Sequence, residues 1–204
     1  MSRGYHHGNL RNALIVAAAE LIEEAGCAEF AISDAAKRAG VSTAAPYRHF
    51  KDRDDLLEAV SELCFIGLAD VVLKTRDQHE MGSRECIIAL GLTYMEYVSS
   101  RPAFYQLMWN EKQHLPEQAA PDSMGRPGFS FFLEAVQAWC EHQRVARCDP
   151  LDLAVKLWAM AHGLAVLSIN GKLAVFLPDA KVADMLCSST HAFLDGVEAS
   201  QRKL

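Results

Sequence analysis

The chain has 204 residues, of which 50% are hydrophobic, 23% charged and 8% aromatic, with a formal net charge of −6. That length and apolar fraction are ample for one or two domains with a real core, which excludes a disordered chain. The 12 Gly and 7 Pro are scattered without period, which excludes collagen-like and low-complexity architectures.

The longest uncharged apolar run, 157–169, holds 13 residues and contains His162. It is too short to span a bilayer and is expected to be a buried core helix. The first residues, Met1-Ser2-Arg3-Gly4-Tyr5, lack an apolar signal region, so the expected location is the cytoplasm. Six cysteines (Cys27, Cys64, Cys86, Cys140, Cys148, Cys187) lie far apart without a C-x-x-C pair. Free thiols in a reducing compartment are expected, with a redox-sensing pair as the alternative.

In chain order, Leu10, Leu14, Ala17, Ala18, Leu21, Ile22 and Ala25 recur at helical steps and Gly26 supplies a stop. Ser33 is expected to cap a short helix through Ala39, ended by Gly40. Ser42 is expected to cap another reaching Phe50, with Pro46 costing it little. Asp52 caps a long helix whose stripe runs through Leu56, Val60, Leu63, Gly67, Leu68 and Val72. Further helices are expected over 83–100, 102–110, 128–145, 150–170 and 179–199, with Pro102 and Pro150 in first turns. Residues 110–128, rich in Pro and Gly, are expected to form a mobile loop. Strand signals are lacking. The expected fold is all-α: a small N-terminal three-helix domain over 1–53, joined only by the long helix to a larger helical domain over 54–204.

The overall acidity argues against a nucleic-acid partner, but charge is unevenly distributed. Residues 1–53 carry seven Lys/Arg against six Asp/Glu, and Lys37, Arg38, Arg48, Lys51 and Arg53 fall within 17 residues. This same stretch, S-D-A-A-K-R-A-G-V-S-T-A-A-P-Y-R-H-F-K-D-R, spaces two short helices about a glycine turn, as in a helix-turn-helix. Ala35, Ala36 and Ala39 permit close helix approach. The second helix would present Thr43, Tyr47, Arg48, His49, Lys51 and Arg53, groups suited to phosphates and base edges. On spacing alone an ordinary helical hairpin remains open.

The first 60 or so residues resemble the DNA-binding domain of the TetR (tetracycline-repressor) family. The resemblance lies in Y-H-H-G-N-L-R, in A-A-A-E-L-I-E-E-A-G, and in A-G-V-S-x-A-A-P-Y-R-H-F-K-D-R-x-x-L-L. It implies that Thr43 and Ala44 face bases, Tyr47 and His49 face phosphates, Arg48 faces the groove edge and Arg53 clamps a phosphate. Ser33 and Ser42 match helix-start residues. Asp34 departs from the family pattern, since a carboxylate there is repelled by phosphate unless Lys37 or Arg38 pairs with it.

In the C-terminal part, the segment 151–169 is apolar almost all round and must be covered on every face. A second copy is expected to cover part of it, through Leu157, Trp158 and Leu164 with Val182, Met185, Leu186, Ser189, Phe193, Gly196 and Val197. A monomeric core is the alternative. The resemblance implies the same homodimer, and a two-fold dimer implies a palindromic operator. Trp158 with His162-Gly163 resembles the signature of a C-terminal subclass named for Trp, His and Gly. Soft and aromatic groups able to line an effector pocket are Phe65, Tyr94, Tyr97, Phe104, Tyr105, Met108, Trp109, Phe132, Trp139, Met160 and His162. His162 is either a polar anchor there or a satisfied interface histidine.

No catalytic residue, metal site or cofactor site is expected, because nucleophile motifs, phosphate loops and His/Cys clusters are lacking. The expected function is a homodimeric repressor that binds operator DNA and is released by a small apolar effector, with no membrane partner. An all-α small-molecule enzyme and a protein-binding adaptor using the 110–128 loop are the alternatives.

Overall fold

The computed structural model describes residues 7–109 and 127–201. Most of the expected 110–128 loop, His6 and His114 lie outside the described residues, as do the side chains of His7 to Asn9. Among the described residues there are nine α-helices and no strand: α1 His7–Ala25, α2 Ile32–Arg38, α3 Arg53–Arg76, α4 Arg84–Ser99, α5 Pro102–Met108, α6 Pro127–His142, α7 Pro150–Ile169, α8 Lys172–Phe176 and α9 Val182–Gln201. The chain divides into two compact units, one drawn from Met1–Phe65 and Arg101–Leu115, the other from Ile66–Ser100 and Pro116–Leu204. The division falls inside α3, and the chain passes between the units again after Ser100. The long helix is therefore not the sole connection, contrary to the sequence expectation, because α5 belongs to the first unit and packs on α1.

In the first unit, Leu14, Ala18 and Ile22 of α1 meet Ala35 and Ala36 of α2, all buried. α2 begins two residues earlier than Ser33 suggested. Ala31 is its N-cap residue and Ser33 sits inside the first turn. The Asp34 carboxylate, three residues into the helix, accepts from the Ala31 N–H at 3.1 Å, the bond that the third helical residue makes back to the cap residue in a capping box.

The C-terminus of α2 closes as a Schellman motif, with Gly40 N–H donating to the Lys37 carbonyl and Val41 N–H to that of Ala36, each at 3.0 Å. Gly40 has φ +71°. A Cβ there would meet nothing within 4 Å, so the demand for glycine is purely one of backbone angle.

The second unit is built around α7, which packs against α4, α6, α8 and α9. Asp149 caps α7 by accepting from the Leu151 N–H, and Pro150 occupies the first helical position. Leu153, Ala154, Leu157, Ala161 and Ala165 form its buried face. Arg84, at the start of α4, ties α9 in place through Asp195 and Glu198. Arg76, near the end of α3, pairs with Glu134 of α6 and lies over the Phe131 ring.

α8 was not foreseen, since five residues are too few to show a period. α7 fills the expected range 150–170, and although the uncharged run 157–169 is too short for a bilayer, the whole helix is by length and composition long and apolar enough to cross a membrane. Its first turns carry Asp152 and Lys156, paired with one another.

Gly40→Ala forces a side chain into the left-handed region and is expected to cost about 1–2 kcal/mol, with Gly40→Asn recovering part of the loss. The shift in denaturant midpoint measures both.

Candidate functional site

The segment after Gly40 departs from the expected short α-helix. Ala45 N–H donates to the Ser42 carbonyl at 3.0 Å and Arg48 N–H to that of Ala45 at 3.2 Å, both bonds of the tighter i to i+3 kind. Only Pro46–Arg48 forms a turn of 3-10 helix, and His49 and Phe50 both donate to the Pro46 carbonyl at 2.9 Å. The reason is Pro46. It has no N–H to give the Ser42 carbonyl, and its ring would crowd that carbonyl in an α-helix. The α-helix expected from Ser42 to Phe50 therefore does not form, and Ser42 acts as a turn residue.

The tight turn sorts side chains by face. Pro46 and Phe50 are buried, Phe50 being 1% exposed, and they seat the turn in the core. Arg11 of α1 lies over the Phe50 ring at 5.3 Å. Outward stand Ser42, Thr43, Ala44, Tyr47, Arg48 and Lys51, with Tyr47 60% exposed, while His49 is half-buried.

Not all of the expected positive charge reaches this front. Lys37 pairs with Asp34 at 3.0 Å. That hydrogen bond first, and the Ala31 N–H second, hold the Asp34 carboxyl below its ordinary value. The family-atypical carboxylate is thus paired in the way the sequence demanded. Arg38 makes a bidentate contact with Glu24 at 2.6 and 2.5 Å, fastening α2 to α1. Arg53 turns inward too. Its Nε donates to the Phe30 carbonyl at 2.8 Å, another guanidinium nitrogen donates to the Ala28 carbonyl, and the group stacks on the Phe30 ring. Asp52 caps α3 by accepting from the Asp55 N–H at 2.9 Å, and Asp55 accepts from the Lys51 N–H.

The residues expected to line one pocket divide between the two units. In the first, Phe65 meets Trp109 edge to face at 5.8 Å, Phe104 and Met108 are buried, and burial raises the half-buried Tyr105 phenol above its ordinary pKa. In the second, the Tyr94 hydroxyl and His162 Nδ1 share a hydrogen bond at 2.6 Å. The Trp158 ring lies 5.2 Å from that of His162, and Phe129 of α6 packs on Trp158 at 6.1 Å. Sequence reasoning missed Phe129, although it shares a helical stripe with Phe132 and Trp139. Trp139 is fully buried, and its indole N–H has no hydrogen-bond partner among the described residues. Tyr97 and Met160 are half-buried. His162 thus has a hydrogen-bond partner within its own unit, and burial lowers its pKa.

Of the residues expected at a dimer interface, Leu157 and Leu186 are buried in the packing of the chain itself, while Trp158 is half-buried with its ring against His162. Leu164, Val182, Met185, Ser189, Phe193 and Val197 are half-buried and Gly196 is exposed. The exposed faces of the same helices carry Val155, Ala159 and Leu167 on α7, and Ser188 and Ala192 on α9.

None of the six cysteines, all of them described, forms a disulfide, and burial pushes the Cys64 and Cys140 thiols up to about 11. Among the described residues no three His, Cys, Asp or Glu groups are placed to hold a metal ion.

An all-helical chain with a glycine-turned helix pair, a polar front and a second, α7-centred helical unit defines the class of helix-turn-helix proteins with a helical companion domain. Residues 14–60 match the family model described as bacterial regulatory proteins, tetR family, and residues 87–189 match the tetracyclin repressor-like C-terminal domain. The chain belongs to the TetR family. It is 31% identical over 110 residues to the HTH-type transcriptional regulator BetI of Escherichia coli O139:H28, covering 52% of this chain and 56% of that protein. The chain thus spans about half the length of the curated relatives it matches. Among solved structures, a protein of unknown function from Rhodococcus sp. RHA1 superposes with a TM-score of 0.77 at 26% identity, over 96% of this chain and 98% of that one. SmeT, the repressor of the Stenotrophomonas maltophilia multidrug efflux pump SmeDEF, shares the fold with a TM-score of 0.52 at 21% identity, over 89% and 88% of the two chains. Membership of a family of regulatory proteins points to regulation rather than catalysis.

Asp34→Asn keeps an oxygen for the Ala31 N–H but releases Lys37. Duplex DNA is then expected to bind more tightly at low salt, with the slope of log K against log salt steeper by about 0.9 per added phosphate contact. Fluorescence anisotropy across a salt series reads this directly. For His162 the sign follows from its lowered pKa. Below its ordinary value of 6.5 the unfolded chain takes up a proton that the folded chain resists, so stability is lost as pH falls. His162→Phe should flatten the fall in Tm between about pH 7 and 5.5.

Proposed function

We propose that the chain is a homodimeric transcriptional regulator of the cytoplasm, a repressor that holds a palindromic operator and is released by a small apolar effector. The observation that carries this reading is the exposed row Thr43, Ala44, Tyr47, Arg48 and Lys51 on a turn seated by Pro46 and Phe50. Thr43 and Ala44 read base edges, Ala44 through a thymine methyl. Tyr47, His49 and Lys51 hold phosphates, and Arg48 lies at the groove edge. Ser33 and Ser42 flank this front, and Arg53 acts mainly by fixing the start of α3. With so few long polar groups at 43–45, part of the specificity comes from DNA shape.

In this reading residues 1–53 contact DNA, and 54–204 carry effector binding and dimerisation. The uncovered apolar and small residues of α7 and α9 support a two-fold contact between copies, which sets the two DNA-reading turns about one helical repeat apart. The effector site is centred on Tyr94, His162, Trp158 and Phe129, an aromatic cluster with one neutral polar pair. Release requires that the effector bind the two states of the dimer with different affinity. The printed names of BetI and SmeT, a transcriptional regulator and a repressor, are consistent with this assignment.

A gel shift on the DNA flanking the gene tests the reading: saturable, palindrome-dependent binding is expected, and none at low salt rejects it. Tyr47→Phe and Lys51→Ala should weaken binding to all sequences, and Lys51→Ala should lower the salt slope by about one. Thr43→Ala should instead change the preference between operators by about 1 kcal/mol or more. An equal loss on every sequence removes Thr43 from base reading.

A further inference from the structure

The connection between α7 and α9 presents three consecutive large apolar side chains to the outside: Val175 is 78% exposed, Phe176 79% and Leu177 51%. Their exposure is built in. Gly171, at φ +66°, turns the chain out of α7, and buried Leu173 anchors α8. The Leu177 N–H donates to the Leu173 carbonyl at 2.9 Å, and the Ala180 N–H to that of Leu177 at 3.2 Å. A clustered, backbone-fixed apolar patch of this kind marks a contact surface.

A second observation concerns the two helices that this segment joins. Gly163 lies within α7 and Gly196 within α9, neither with positive φ, and a Cβ at either would meet nothing within 4 Å. Glycine weakens a helix interior relative to alanine, and neither position repays that within this chain. Both are hollows on helices that also expose Val155, Ala159, Leu167, Ser188 and Ala192. The charges beside the patch cancel, with Lys172 and Lys181 set against Asp179 and Asp184. Neither a polyanion nor an anionic lipid surface is selected by such a balance.

We infer that Val175, Phe176 and Leu177 form a knob that packs on the hollowed α7 and α9 face of a second copy of this chain. The inference rests on the homodimer of the proposed function and goes beyond it by adding a contact outside the helix faces. Knob and hollow belong to one chain and to adjoining elements, so a two-fold axis satisfies both at once. Each copy gives one knob and receives one. An unrelated partner would use the patch once and leave the hollows of α7 and α9 unexplained.

Sedimentation equilibrium of the full chain, wild type and Phe176→Asp, tests this, with far-UV circular dichroism confirming equal helicity. The wild type is expected to be a dimer. Phe176→Asp is expected to raise the dimer Kd by about 100-fold or more, because both knobs of the pair are lost together. A wild-type dimer whose Kd is unchanged by Phe176→Asp overturns the knob and leaves the homodimer standing. A wild type that stays monomeric at all concentrations overturns the homodimer and the knob with it. Hydrogen exchange on the wild type needs no variant. Amides 175–177 should gain protection as protein concentration rises, and concentration-independent exchange, or protection only with lipid vesicles, rejects the assignment.

Discussion

Burial of the Phe50 ring fixes where the exposed turn over 43–48 can lie. The ring is seated in the core of the first unit beneath the Arg11 guanidinium, and its own N–H closes back on the Pro46 carbonyl. Pro46 is buried beside it, so the four residues 46–49 have little freedom to rotate as a group. Two residues beyond Phe50, Asp52 starts α3 with a capping bond. One aromatic anchor thereby couples the exposed side chains of residues 43–48 to the first turn of the longest helix. A turn so short could not hold its own shape in water, and tertiary packing does what helix propensity cannot.

Charge is organised by the same economy. An acidic chain has few cations to offer a polyanion, and several in the basic stretch are committed elsewhere. Arg38 joins α2 to α1 through Glu24, Arg53 joins α3 to the carbonyls of Ala28 and Phe30, and Lys37 is paired with Asp34. Guanidinium groups suit this internal work because their planar forks satisfy two acceptors at once. Exposed Arg48 and Lys51 remain on the front itself. In the proposed function, affinity would depend on a few charges in defined positions, a condition that favours discrimination between sites over indiscriminate attraction.

The sequence made the long helices legible because their apolar stripes repeat over many turns. α1, α3, α4, α7 and α9 follow from Leu14 to Ile22, from Leu56 to Val72 and from comparable runs. Shorter elements failed for identifiable reasons. Ser33 looked like a cap because the hydroxyl precedes an alanine-rich helix, yet the carboxylate of Asp34 reaches the Ala31 N–H and moves the start. Pro46 looked tolerable because it stands near a helix start, yet it cannot donate to the Ser42 carbonyl, which accepts from the Ala45 N–H in a tighter turn instead. At the candidate site, polar residue types marked the front that the structure exposes, while the inward turn of Arg53 depended on carbonyls more than 20 residues away. Leu157 and Leu186 could not be told from their half-buried neighbours, since an all-round apolar helix carries no mark of which face meets its own chain.

One close contact in the second unit has a mechanical corollary. The Tyr97 hydroxyl of α4 lies 2.7 Å from where a Cβ on Gly67 of α3 would stand, so the phenol tip fits against α3 because that position carries no side chain. Any larger residue at position 67 would have to push the phenol aside, so the glycine is the notch that sets how the Tyr97 ring lies along α3.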